Sequence, residues 1–336
     1  MSRKSAHASR RKTPWDAESE RTPMQEFLYQ HYVNHYEEHH PKLTQTGETE
    51  LINTFHPEIC PYCNGKQIKK FGHTRNGVQR YRCILCSQTF TPITGTIFDG
   101  HKISLSEWMD YMLNLFRYVS INADSWNNRN AFTTSRYWLE KIFLVLEDYQ
   151  KEIMLSERVW LDETFYRVRS DDVLLSETGG RLRGLSKNQL CIGVACDSER
   201  ILCILEGKGK PSQQKTYEAF KSHIAPQSTL VHDKESSHKR LVKKLNLISE
   251  AYDSRALKKL SDKDNPLDRV NHVHMLLKVF LHAHASFMRE SIQGYLNLFT
   301  FVMNPPADNL EKVDLLMNLA FKNPKLLRYR DFYSVK

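Results

Sequence analysis

Two aspartates, an amide and a lysine stand where their side chains could do chemistry in concert. Asp162 lies inside the alternating apolar run VWLDETFYRV (159–168), and Asp233 ends the short apolar run STLVHD (228–233). A carboxylate within a core-forming strand is costly unless it is paired or holds a cation, so the two positions point to a divalent-metal site, with a turn or helix cap as the plainer reading of Asp233. Asn271 and Lys278 lie seven residues apart in DRVNHVHMLLK (268–278), a two-turn spacing that puts both on one helix face. That face reads as the third wall of a site or as a solvated stripe. Glu163 alternates to the opposite sheet face and is left out of the site, and His274, one turn from Asn271, reads either as an assisting group or as a helix-surface histidine.

The cysteines form a second constellation. CPYC and CILC place Cys60, Cys63, Cys83 and Cys86 as two CxxC turns separated by nineteen residues, with a hairpin turn expected at Asn76-Gly77. Four thiolates fit a tetrahedral Zn2+ with no open position, hence a structural ion, with an iron–sulfur centre as the alternative. Lys66, Lys69, Lys70, Arg75, Arg80 and Arg82 surround this ribbon and suit phosphate contacts. The other cysteines, Cys191, Cys196 and Cys203, sit in apolar runs, a usage that fits a reducing compartment better than disulfides.

The elements that must position these residues follow from periodicity. Residues 23–40 read as a short amphipathic helix whose His31 and His35, four apart, either clamp a metal or, with no third ligand in view, form a solvated face. Residues 104–119 are helical, and 120–150 read as a short helix, a turn and a longer helix capped at Thr133 or Thr134. That outline is a helix-turn-helix module offering Ser135, Arg136, Tyr137 and Lys141 to a major groove; a plain bundle with Trp126, Trp138 and Phe143 as core fits the same pattern. From 159 the period changes to strands at 159–168, 190–197 and 200–207, a helix at 216–224 and the strand ending at Asp233. A basic helix follows, with Lys239, Arg240, Lys243 and Lys244 either tracking a DNA backbone or facing solvent. Then come the strand-like NLISEAY and the helix carrying Asn271. This is an α/β order, antiparallel first and parallel later, and the ribonuclease-H-like fold has that order. Residues 170–189 read as an insertion in which Arg181, Arg183 and Lys187 either grip DNA or serve solubility.

With 336 residues, 40% of them apolar, the chain should hold two or three folding units, and its net charge of +9 points to a polyanionic partner. The basic N-terminal tail is followed by no apolar run, so it is not a secretory signal, and no stretch reaches the roughly 20 apolar residues of a bilayer crossing. The expected location is cytoplasmic and nucleoid-associated, without membrane contact. The expected organisation is a basic tail with a short helix (1–50), a zinc ribbon (51–100), a helix-turn-helix DNA-binding module (101–152), a ribonuclease-H-like catalytic domain (153–304) and a C-terminal helix (305–336).

VWLDET, then VHD, then an N(x)6K helix, all behind a CxxC…CxxC ribbon and a helix-turn-helix outline, resemble the insertion-sequence transposases of the DDE superfamily, in the subgroup with an N-terminal zinc ribbon. The resemblance spans residues 57–304 and includes RGLSKNQLCIGVACD and YLNLFTFVMN. It implies that Asp162 and Asp233 are the metal-binding aspartates, that Asn271 occupies the third acidic position, and that Lys278 is the basic residue two turns on. The superfamily commonly has Glu where Asn271 stands, and some members of the subgroup carry Asn. The implied activity is a DNA transposase that binds terminal inverted repeats and catalyses strand cleavage and strand transfer, with structural Zn2+ and two Mg2+ or Mn2+ ions about 3.5–4 Å apart. The implied partners are double-stranded DNA, both element ends and target, and a second copy of the chain, as a homodimer or larger assembly on DNA. Two alternatives stand beside it: a transposase-derived DNA-binding protein without activity, in which Asn271 records the loss, and a nuclease or resolvase that cuts without joining.

Overall fold

The computed structural model describes residues 22–24, 26–27, 30–31, 47–100, 104–127, 131–167, 189–257, 259–284 and 289–334. The basic tail, His35 and the insertion with Arg181, Arg183 and Lys187 lie outside the described residues. Two compact units result, Met1–Val145 with Asp308–Lys336, and Leu146–Ala307.

The first unit opens with α1 (Glu48–Thr54), followed by a small antiparallel sheet in the order β1 (Ile68–His73), β2 (Gln79–Cys83), β3 (Thr89–Phe90). The hairpin turn falls where Asn76-Gly77 predicts it, with Gly77 at a φ of 79° that a glycine adopts without strain. Three helices follow, α2 (Leu105–Phe116), α3 (Ile121–Asn127) and α4 (Phe132–Leu146). Ser104 caps α2 through its side chain, and Glu48 accepts the Leu105 and Ser106 amides at 3.0 Å each, so the free N–H groups of the helix start are taken up. Trp108 of α2 stacks on Trp138 of α4 with ring centroids 4.6 Å apart. The apolar stripe of the C-terminal helix Asn309–Lys322 is core in this unit: Val313, Leu316 and Met317 are buried, and Phe321 stacks on Phe55.

The second unit is built on a five-stranded sheet of β4 (Arg158–Tyr166), β5 (Leu190–Cys196), β6 (Ile201–Lys208), β7 (Thr229–Asp233) and β8 (Ile248–Tyr252), with spatial order β6-β5-β4-β7-β8. β4, β5 and β6 pair antiparallel, whereas β4 with β7 and β7 with β8 pair parallel, which is the ribonuclease-H-like arrangement. α5 (Gln213–Phe220) and α6 (Lys239–Leu245) cover one face; α7 (Asp268–Ala283) lies on the other, and α8 (Ile292–Met303) runs beside β6. Leu161, Leu202, Phe220, Leu230 and Leu241 form the core beneath α5 and α6. Close packing there requires Gly193: a Cβ at that position would fall 2.4 Å from Glu206 Oε1 and 2.6 Å from the Phe220 ring.

The outer edge of β6 is closed by side-chain amides. Gln150 donates to the Cys203 carbonyl at 2.9 Å and accepts the Cys203 N–H at 3.0 Å, so its amide imitates a neighbouring strand. Asn304 does the same at Ile201, at 2.7 and 3.0 Å, and Gln293 accepts the Leu205 N–H at 3.2 Å. These residues satisfy backbone groups that an open edge would leave free to pair with another chain.

Candidate active site

β4 and β7 run parallel in a register that pairs Val159 with Leu230, Trp160 with Val231 and Leu161 with His232. One residue further along both strands stand Asp162 and Asp233, so the strand order brings the two predicted acids side by side on one face. Their side chains are 24% and 23% exposed, enough for access by an ion but little enough to strip most of their water. Burial, then the charge of Asp233, then that of Glu163 push the Asp162 pKa up to about 7, and burial raises that of Asp233 as well. Two desolvated carboxylates that penalise each other's charge are what a bound cation would offset. Backbone N–H groups already hold one oxygen of each: Glu163 donates to Asp162 Oδ1 at 2.9 Å and Glu235 to Asp233 Oδ1 at 3.1 Å.

α7 meets this pair through a residue outside the predicted site. His274 is buried, with Nδ1 3.9 Å from Asp162 Oδ2, and its Nε2 has no hydrogen-bond partner among the described residues. Burial, reinforced by the charge of Lys278, lowers its pKa to about 4, so it faces Asp162 as a neutral imidazole. Asn271 and Lys278, one turn before and one turn after, are exposed on the same face. Of the two readings of His274 the surface one is corrected: helical periodicity does not tell which stripe of α7 docks on the sheet, and His274 lies in the docked stripe with Val270, Val273, Leu277 and Leu281, while Asn271 and Lys278 stand at its exposed margin.

On the opposite face, Glu163, His232 and His238 form a buried group that alternation alone set aside. His238 Nε2 is 3.1 Å from Glu163 Oε1, and its Nδ1 is 3.0 Å from His232 Nδ1 and 3.9 Å from Asp233 Oδ1. Ligand atoms of His232, Asp233 and His238 all lie within 4.8 Å of one another. Burial opposes a charge on His238, but the hydrogen bond and charge of Glu163, with Asp233 and Asp162 beyond, outweigh it and raise its pKa. The pKa of His232 falls to about 4 through burial and the charge of His238. The signal in the sequence was a polar partner beside each strand aspartate, Asp-Glu at 162–163 and His-Asp at 232–233.

The four predicted thiols converge. Cys60 and Cys86 sulfurs are 3.6 Å apart, as are those of Cys63 and Cys83, and all four lie within 4.8 Å of one another. Tetrahedral Zn2+ with bonds near 2.3 Å sets sulfurs roughly 3.8 Å apart, so the donor set fits that ion. The thiols shift in opposite directions: the Cys86 amide and other hydrogen bonds pull the Cys83 pKa down to about 7, while against the pull of the Gly65 amide the Cys86 thiol, burial and the other two thiols push that of Cys63 up to about 12. The three remaining thiols, Cys191, Cys196 and Cys203, are buried, and burial raises their pKa.

Of the residues expected on DNA, Lys239, Arg240, Lys243 and Lys244 are exposed on α6, which starts directly after His238. Arg136 is half-buried, its guanidinium 5.8 Å from the Phe332 ring centroid. Lys141 is corrected. It is fully buried, donates to the Ile97 carbonyl and lies 4.9 Å from the Tyr137 ring centroid, so it cannot reach a groove. Ser135 and Tyr137 also point inward, Ser135 to Asp124 at 2.9 Å. The α4 face chosen from the sequence is the core face. On the ribbon, Arg80 and Arg82 lie 5.5 and 5.3 Å from the ring centroid of exposed Phe71, and Lys69 pairs with Arg82 across the sheet. Among the described residues no helix is long and apolar enough to cross a membrane.

No protein-family profile matches the chain, and no curated protein does. Several solved structures are similar to it at a distance. The Mos1 transposase catalytic domain with Raltegravir and Mn is 12% identical with a TM-score of 0.29, the match covering 68% of this chain and 100% of that one. The Mos1 mariner paired-end complex with Mn is 11% identical with a TM-score of 0.29, over 68% of this chain and 65% of that one. A simian T-cell lymphotropic virus intasome in complex with the PP2A regulatory subunit B56 gamma gives 12% and 0.29, over 57% and 65%. At these scores the likeness decides nothing about this chain, whose ribonuclease-H-like reading rests on its own strand order.

Proposed function

We propose that this protein is a DNA transposase of the DDE type, a metal-dependent polynucleotidyl transferase with Asp162, Asp233 and Asn271 as its metal-binding set and Lys278 as a phosphate-contacting cation. The observation that carries this reading is the register of β4 and β7, which aligns two desolvated aspartates on one sheet face. Their chemistry fits a hard divalent ion such as Mg2+ or Mn2+, bound by oxygen donors. When bound, such ions supply Lewis acidity to a phosphodiester and to the oxygen that attacks it.

The chain's own residues do the rest. Asp162 and Asp233 hold negative charge at one place, with one oxygen of each fixed by a backbone N–H. The neutral imidazole of His274 shields Asp162 from bulk water without adding a competing charge. Asn271 offers a carbonyl oxygen where Glu would offer a carboxylate, so a divalent ion there would be held more weakly and would depend more on DNA phosphates. Lys278 is a point charge for one such phosphate. The ribbon face of Lys69, Phe71, Arg80 and Arg82 contacts the terminal inverted repeats, structural Zn2+ on the four cysteines would hold the ribbon, and the basic face of α6 separately offers cations to DNA phosphates. Pairing of two element ends requires at least two copies on DNA.

Strand transfer on a DNA carrying an element end tests the assignment. Asp162→Asn and Asp233→Asn should each abolish cleavage and joining while retaining DNA binding. Cleavage without joined products would favour a nuclease, and binding without metal-dependent nicking by the unaltered chain would make the protein a DNA-binding descendant.

A further inference from the structure

Behind the acid pair, the sequence neighbours of the two aspartates are tied to each other. Glu163 follows Asp162 and His232 precedes Asp233, so each points to the sheet face away from its aspartate. His238, in the 3-10 turn Ser236–His238, stands between them, 3.1 Å from Glu163 Oε1 and 3.0 Å from His232 Nδ1. Ser237 donates to the same Glu163 oxygen at 3.2 Å, and His232 Nε2 lies 2.9 Å from Ser249 Oγ on β8. The string thus crosses β4, β7 and β8. The His238 and Glu163 side chains are 0% and 4% exposed, so its bonds are not shared with bulk water.

The donors and acceptors of the string close. A carboxylate only accepts, so His238 Nε2 carries the proton toward Glu163; of the two facing Nδ1 atoms one donates and the other accepts, and the Ser249 hydroxyl completes the far end in either sense. His238 does not itself hold the Asp233 carboxylate, because 3.9 Å exceeds hydrogen-bond reach. What it does link are side chains of the two strands, Glu163 on β4 and His232 on β7. The β4–β7 ladder ends at Leu161 and His232, one step short of the aspartates. Like charges therefore face each other where strand pairing no longer keeps the strands together.

We propose that His238, with Glu163 and His232, is a positioning clamp that fixes the separation of Asp162 and Asp233 from behind the sheet. Its role is to keep the pair at the spacing that binds a divalent ion against the repulsion of the two carboxylates. The inference rests on the metal-binding reading of that pair.

The test is Mn2+ binding to the zinc-loaded full-length protein without DNA, read by electron paramagnetic resonance. His238→Ala, and His238→Asn as a variant that fills most of the space but is too short to reach Glu163, should weaken Mn2+ binding about 10-fold or more, as loss of an outer-shell partner does. His238→Gln, which keeps a donor and an acceptor at greater length, should stay within about threefold of the unaltered protein. A merely structural role would lower thermal stability in all three and leave the affinity of the folded fraction unchanged. Binding by folded His238→Asn equal to that of the unaltered protein overturns the clamp alone, as does a His238→Gln no better than His238→Asn. Mn2+ binding that survives both Asp162→Asn and Asp233→Asn overturns the metal reading, and the clamp with it.

Discussion

His274 Nδ1 faces Asp162 Oδ2 across 3.9 Å at the junction of α7 and β4, and the two groups respond to that junction in opposite ways. Burial lowers the imidazole pKa to about 4 and raises the carboxylate pKa to about 7, so each is driven toward its neutral form. A depressed histidine pKa means that the unfolded chain binds the proton more tightly, so stability from His274 is present above the ordinary value of about 6.5 and is lost as pH falls toward 4. In urea titrations the unaltered protein should therefore lose stability between pH 6.5 and 4 by a contribution that His274→Asn lacks.

Asp162 has the opposite sign. Its folded pKa lies above its unfolded one, so stability is highest at low pH and declines as pH rises from about 4 to 7. In chelator, Asp162→Asn should raise the melting temperature at pH 8 and do so much less at pH 5. Equal shifts at both pH values would mean that the carboxylate is not desolvated as described.

The thiol cluster predicts one bound metal with a structural effect. The purified protein should carry about one Zn2+ per chain, and Cys60→Ser or Cys83→Ser should lose it, because the remaining three thiolates no longer close a tetrahedral shell. Hydrogen exchange should then rise across β1, β2 and β3, and in the sheet of the second unit remain unchanged.

Salt dependence separates surface cations from the buried one. Removing one cation from a DNA phosphate lowers the slope of log affinity against log salt by roughly 0.9, so Arg80→Ala combined with Arg82→Ala should flatten it by up to about 2. Lys141→Met should leave the slope unchanged, since that ammonium lies in the core, where burial lowers its pKa to about 8.

Edge closure gives a stability prediction. Gln150→Ala strands the N–H and C=O of Cys203, and a buried unpaired group costs about 1–3 kcal/mol. The unfolding free energy should fall by about that amount for each of the two stranded groups.

Local pattern makes much of this protein legible. The CxxC turns, the Asn76-Gly77 hairpin, the alternation that buries Val159 and Leu161, and the charges of Asp162 and Asp233 at costly positions are properties of a few consecutive residues. The succession of strands and helices follows from the change of period at 159, and the ribonuclease-H-like fold that has this succession carries the expectation that the two acids lie side by side. Periodicity, however, assigns a helix its stripes without saying which stripe meets the sheet. For that reason Lys141, expected on DNA, lies in the core, and His274, readable either as a surface residue or as a site residue, lies against Asp162. The Glu163–His238–His232 string, whose first link joins residues 75 apart, exists only once β4, β7 and the turn before α6 have packed. The amides that close β6 depend in the same way on Gln150, Gln293 and Asn304 reaching it from other elements. Backbone alternation and turn chemistry act within a few residues and can be read from the chain; satisfaction of buried polar atoms is a condition on the whole packed unit, and only tertiary structure decides which partners meet it.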